Sequence, residues 1–102
     1  MSRIRVIVKY PDEPVGHPEF IDNTLKDFQI LVDGYIETIT ISPDLVIICN
    51  ENGRMLGLPH NCDLFGHRLV GTLVFAGVRG DKFASFPGTL NDYKRRILGG
   101  EG

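Results

Sequence analysis

The 102-residue chain has no tryptophan and only two cysteines, Cys49 and Cys62. Two thiols so spaced form no close pair, which argues against a disulfide framework and for reduced thiols. No apolar run approaches the ~20 residues that a membrane helix requires. Charges at Arg3, Arg5 and Lys9 interrupt the first residues, where a signal peptide would carry its apolar segment. A cytoplasmic protein with no membrane partner is expected. Neither sign of charge dominates, with 11 Lys and Arg against 13 Asp and Glu and a net charge of −2. That excludes non-specific binding to DNA or RNA, which rests on neutralising many phosphates. It leaves room for one or two arginines aimed at a small phosphate ligand. There is no internal repeat, linker or low-complexity segment. The length suits a single domain over residues 1–102, burying roughly 65% of the surface its unfolded chain would expose. A core of that size leaves little to enclose a private cavity, so a large ligand would sit in a groove or between subunits.

Alternation is the main signal in what is present. RIRVIVKY (3–10) sets Ile4, Val6, Val8 and Tyr10 against Arg3, Arg5, Ile7 and Lys9, as in a half-buried strand. The proline-rich stretch 11–18 predicts a turn or an irregular edge, and EFID a short returning strand. In 23–34, Thr24 and Asp27 have capping-box spacing, Leu25, Phe28, Leu31 and Val32 share a face, and Gly34 is placed to end a helix in the left-handed conformation. YIETITI (35–41) alternates again, with Glu37 the odd member beside Tyr35, Ile39 and Ile41. LVIICN (45–50) is apolar on both faces and predicts a central strand, with Cys49 packed as a small hydrophobe. NENG (50–53) supplies hairpin-turn chemistry, RMLGLP the strand leaving it, and Pro59 its end. Residues 60–67 are expected as a connection with at most a helical turn, and 69–78 as one long strand in which Gly71 and Gly77 permit a bend or close approach. RGDK (79–82) reads as a tight turn and FASF as a short strand. A last helix runs over 89–98, with Thr89 and Asp92 at capping-box spacing, Lys94, Arg95 and Arg96 near its end, and Gly99-Gly100 closing it. The fold class is α+β, a mainly antiparallel five- or six-stranded sheet with two helices on one face or at its end.

Most chemical signatures are missing. His60, Cys62 and His67 have metal-ligating side chains, but their spacing lacks the paired CxxC or HxxxH of zinc sites, so no metal or other cofactor is expected. Cys62 has histidines nearby in sequence but none of the context of a nucleophile, and Glu37 with Asp44 has nothing to fix a separation, so no catalytic residue is assigned. Arg-Gly-Asp at 79–81 is read as a turn, and GVRGDK departs from a P-loop in glycine spacing and in its ending. Beyond the turn residues of 50–61, several side chains are left without a structural reason. Arg54, Asn61, His67 and Arg68 offer guanidinium, amide and imidazole groups, and Tyr35 and Phe65 offer stacking faces. Together they are the expected binding site for a small anionic ligand.

GYIE at 34–37, an apolar strand, NENG at 50–53, GLPHN at 57–61 and VGT at 70–72 occur in that order. In this the chain resembles short proteins of phages, prophages and mobile elements, mainly of Gram-positive bacteria, that share a domain of unknown function. The resemblance covers about two thirds of the chain. It implies a mobile-element context and no particular reaction. With the candidate residues, it makes sequestration of a cyclic or modified nucleotide immune signal the leading expectation, in a homo-oligomer with sites between subunits. The other expectation is an interaction module that inhibits a host protein by surface contact.

Overall fold

The computed structural model describes residues 3–99. Its strands are β1 (Arg3–Lys9), β2 (His17–Asp22), β3 (Ile36–Ser42), β4 (Leu45–Asn50), β5 (His60–Leu64), β6 (His67–Val70), β7 (Leu73–Arg79) and β8 (Lys82–Ala84). Helix α1 (Leu25–Val32) lies between β2 and β3. Helix α2 (Leu90–Tyr93) follows β8 and runs into a π-helical turn, Lys94–Leu98. The main sheet has the order β2-β1-β7-β4-β3, with β8 against the far half of β7, and every pairing in it is antiparallel. β5 and β6 form a separate two-stranded sheet. This is the expected α+β class.

Two cores follow from the sheet being covered on both faces. On one, Val6, Val8, Val46, Ile48 and Val74 pack against Phe28 and Val32 of α1. On the other, Ile7, Ile47, Cys49 and Phe75 pack against Leu64 and Leu69 of the small hairpin and against Phe86, Tyr93 and Ile97. Each such side chain, fully buried, contributes about 1.5–3 kcal/mol. The helices therefore take opposite faces, and α2 shares its face with β5–β6. β1 is buried on both faces: Ile7, assigned by alternation to the open side, is fully covered. β4 is interior, buried at all six positions, while β7 occupies the middle of the sheet.

Local structure departs from the sequence reading in four places. Residues 51–57 form consecutive turns and no strand. Gly53, Leu56, Gly57 and Leu58 donate backbone bonds to Asn50, Asn52, Arg54 and Gly53, so the segment coils instead of pairing. Residues 60–70, expected as a connection, are a hairpin whose two-residue turn, Phe65-Gly66, has both φ values positive (51° and 81°), as a type I′ turn requires. The long strand expected over 69–78 is broken at Gly71 (φ 73°), which lets the chain leave the small sheet for the main one. Helix α1 ends with Asp33, not Gly34, in the left-handed conformation, and Asp33 and Gly34 donate to Ile30 and Gln29 in a Schellman ending. Gly34 has a separate reason: a Cβ there would lie 2.6 Å from Nδ2 of Asn50, which donates to the carbonyls of Val32 and Asp33.

The caps agree better. Thr24 accepts from the Asp27 amide, and Thr89 with Asp92 forms a complete capping box. Gly77 does allow close approach, since a Cβ there would meet the Ser85 carbonyl at 2.2 Å. Gly99 donates to the Lys94 carbonyl at the end of the π turn; Gly100, expected beside it, lies outside the described residues. Among the described residues no helix is long and apolar enough to cross a membrane.

Candidate functional site

A groove of about 440 Å³ opens on the face that carries the small hairpin. Its elements are β3 (Glu37, Ile39), the end of β4 (Cys49, Asn50), the coiled segment 51–55 and all of β6. Ile39, Cys49 and Leu69 belong to the core beneath, so the groove has an apolar floor. Alternation along β3 places Glu37 on the side of Ile39 and Ile41. The Asn50 amide holds the segment's entry, with its Oδ1 accepting from the Asn52 amide at 2.7 Å. Gly53 is buried, and a Cβ there would stand 2.8 Å from the Val70 side chain. Arg54 is steered by a bond from its Nη2 to the Arg68 carbonyl at 3.1 Å.

Several charges outside the groove are paired. Arg96 donates to Asp44 and to Ser42, and the bonds that Asp44 accepts, from Arg96 first and then from the Ser42 hydroxyl, hold its carboxyl down at about 2. Arg95 meets Asp92, and His60 meets Asp63 at 2.9 Å. His17 lies between Glu13 and Glu19 at 2.6 and 2.8 Å. Inside the groove, Glu37, Glu51, His67 and Arg68 carry no ion pair and no side-chain hydrogen bond among the described residues. The Cys49 thiol on the floor is pushed up to about 11, first by burial and then by Glu37, with Arg54 opposing. It is therefore an un-ionised core thiol.

Of the six residues singled out from sequence, Arg54, His67 and Arg68 line this groove. Tyr35 is exposed just before β3, and Phe65 is exposed at the hairpin tip; neither lines it. Asn61 lines a second recess with Lys9, Glu13, Cys62 and Leu98. There its Nδ2 donates to the carbonyls of Lys9 and Gly71 at 2.9 and 2.8 Å, and its Oδ1 accepts from Lys9 Nζ at 2.6 Å. Glu37, Glu51 and Met55 belong to the groove and were not in the expected set. Only Glu37 carried a signal, a carboxylate in an apolar alternation. Its suggested companion Asp44 is held by Arg96 at the β3–β4 turn.

The β1–β2 connection holds the other concentration of titratable groups. The bond to Glu19 raises the His17 pKa above its ordinary 6.5, against an opposing effect of burial, and Glu13 adds to the rise. Burial pushes Glu13 up, but bonds from the Tyr10 amide and His17 outweigh it and hold the carboxyl below 4.5. The Tyr10 ring lies 5.3 Å from the His17 ring. Among the described residues no group of three or more His, Cys, Asp or Glu could hold a metal ion.

Comparison with curated proteins finds no match, and comparison with solved structures finds none. Residues 4–98 match the model of a domain of unknown function, DUF3846, and by that match over nearly the whole chain the protein belongs to the DUF3846 family.

Proposed function

We propose that this protein binds a small anionic ligand, a cyclic or modified nucleotide in the most concrete form, in the groove between β3, residues 50–55 and β6. The observation that carries the reading is a concentration of unmatched groups in one concavity. Arg68, His67, Glu37 and Glu51 carry no ion pair and no side-chain hydrogen bond among the described residues, and all four line one groove with an apolar floor. Unsatisfied charges around a recess of this size suit a ligand, since pockets for small molecules run to about 300–1,000 Å³. Arg68 and Arg54 are suited to phosphate, which guanidinium groups hold in a bidentate fork. The resemblance to short mobile-element proteins supplies a use: such an element gains by sequestering a nucleotide signal of host defence, which needs no catalysis. Because the groove borders β3, an edge strand, a second copy could wall its open side, and a homo-oligomer is the expected form.

Calorimetric titration with a panel of cyclic dinucleotides and ADP-ribose derivatives tests this. At least one should bind, and Arg68→Ala should weaken it about ten- to a hundredfold, the value of one charge-assisted contact at roughly 1.5–3 kcal/mol. Silence across the panel would remove the nucleotide reading. A second reading then gains, inhibition of a host protein by surface contact, because Met55 and Leu56 beside the groove are 85% and 62% exposed.

A further inference from the structure

The groove contains two carboxylates as well as its basic groups, and that mixture restricts what can enter. A ligand that is anionic throughout would face Glu37 and Glu51, which have no cation of their own to screen them. The ligand must therefore be two-ended, with negative charge toward the guanidinium groups and hydrogen-bond donors toward a carboxylate. Glu51 lies in the coiled segment with Arg54, so Glu37 is the carboxylate that a separate element holds apart from the guanidinium groups. Glu37 comes from β3 in the main sheet, while Arg54 and Arg68 come from the coiled segment and from β6, joined by the bond from Arg54 to the Arg68 carbonyl.

Resting on the nucleotide reading above, we infer that the groove selects guanine, with Glu37 as the specificity-determining residue. A carboxylate is acceptor-only when ionised and offers two oxygens side by side. Guanine presents two adjacent donors, N1–H and the N2 amino group, which match those oxygens. Adenine places the N1 lone pair next to its amino group, and cytosine does the same with N3, so each would set an acceptor against the carboxylate. Uracil has a single N–H between two carbonyls. Only guanine among the common bases meets Glu37 without an acceptor facing it. Ile39 and Leu69 give the base an apolar surface, and Met55 lies at the rim, where a thioether makes favourable contacts with aromatic rings.

The test compares matched ligands that differ only in the base, GDP with ADP and cyclic di-GMP with cyclic di-AMP, by calorimetry on the full chain. Guanine ligands should bind at least tenfold more tightly than their adenine counterparts. Glu37→Gln, isosteric at an exposed position, should reduce that ratio at least tenfold, because its amide sets an acceptor against one guanine donor and a donor against the other while offering adenine a matched pair; the melting temperature should not change. Arg68→Ala should weaken both bases by the same factor. Equal affinity for guanine and adenine, or a guanine preference that survives Glu37→Gln, would overturn base selection and leave the nucleotide reading standing. Failure of all four ligands, together with the wider panel, would remove both.

Discussion

Asn61, in β5, ties β1 to the break between β6 and β7 with one side chain: its amide donates to the carbonyls of Lys9 and Gly71, and its oxygen accepts from the Lys9 ammonium. Lys9 is only 4% exposed, so this oxygen is part of what keeps a charge tolerable in the interior. Replacing it should damage the fold and not a binding surface. Asn61→Ala should lower stability by about 2–4 kcal/mol, since it strands two carbonyls and removes a charged partner. Arg68→Ala should stay within about 0.5 kcal/mol, as exposed substitutions do. Urea denaturation of the two variants separates them, and equal midpoints would contradict the division. The residue types alone placed Asn61 and Arg68 in one site. Asn61 is an amide without a local reason, and its reason is 52 residues away at Lys9. Arg68, by contrast, keeps an unmatched guanidinium in the groove. Side chains tied to distant backbone carry no pattern in a linear reading.

At the level of elements, the β1–β2 connection is a clasp whose strength depends on pH. His17 has a folded pKa above 6.5, so its contribution is complete below 6.5 and fades as pH rises through the folded value. Glu13 has a folded pKa below 4.5, so its contribution is complete above 4.5 and fades as pH falls through the folded value. Both are present between about 4.5 and 6.5. Lys9 of β1 adds a favourable charge for Glu13 throughout that window. His17→Gln should therefore cost more melting temperature at pH 6 than at pH 8.5, read by thermal scans at both; an equal cost would show that the ring acts by packing against Tyr10 alone. The connection was legible only as a turn or irregular edge, because the pairing of His17 with residues four before and two after requires the returning geometry of β2. The hairpin β5–β6 was hidden for another reason. Its turn uses Phe65 at a positive φ, where asparagine or aspartate would have announced it. The strands themselves were readable wherever alternation or a doubly apolar run was strong, as in β1, β3 and β4. Which face was open was not, because the covering elements lie far along the chain.

On the scale of the whole molecule, the sheet order β2-β1-β7-β4-β3 sets two early hairpins on either side of a strand from the last third of the chain. β1–β2 and β3–β4 share no pairing with each other; each meets β7. Residues 3–71, expressed without β7, should remain unfolded by circular dichroism, and adding a peptide spanning 72–99 should restore structure. A stable, cooperatively melting 3–71 fragment would mean that the hairpins assemble unaided. During synthesis on a ribosome the consequence is one of timing. Ile47 and Cys49, covered in the finished fold by Leu69, Phe75 and Tyr93, must emerge and wait for those partners, with β7 reached only after some twenty-five further residues have been made. At ~5–20 residues per second that wait lasts on the order of seconds.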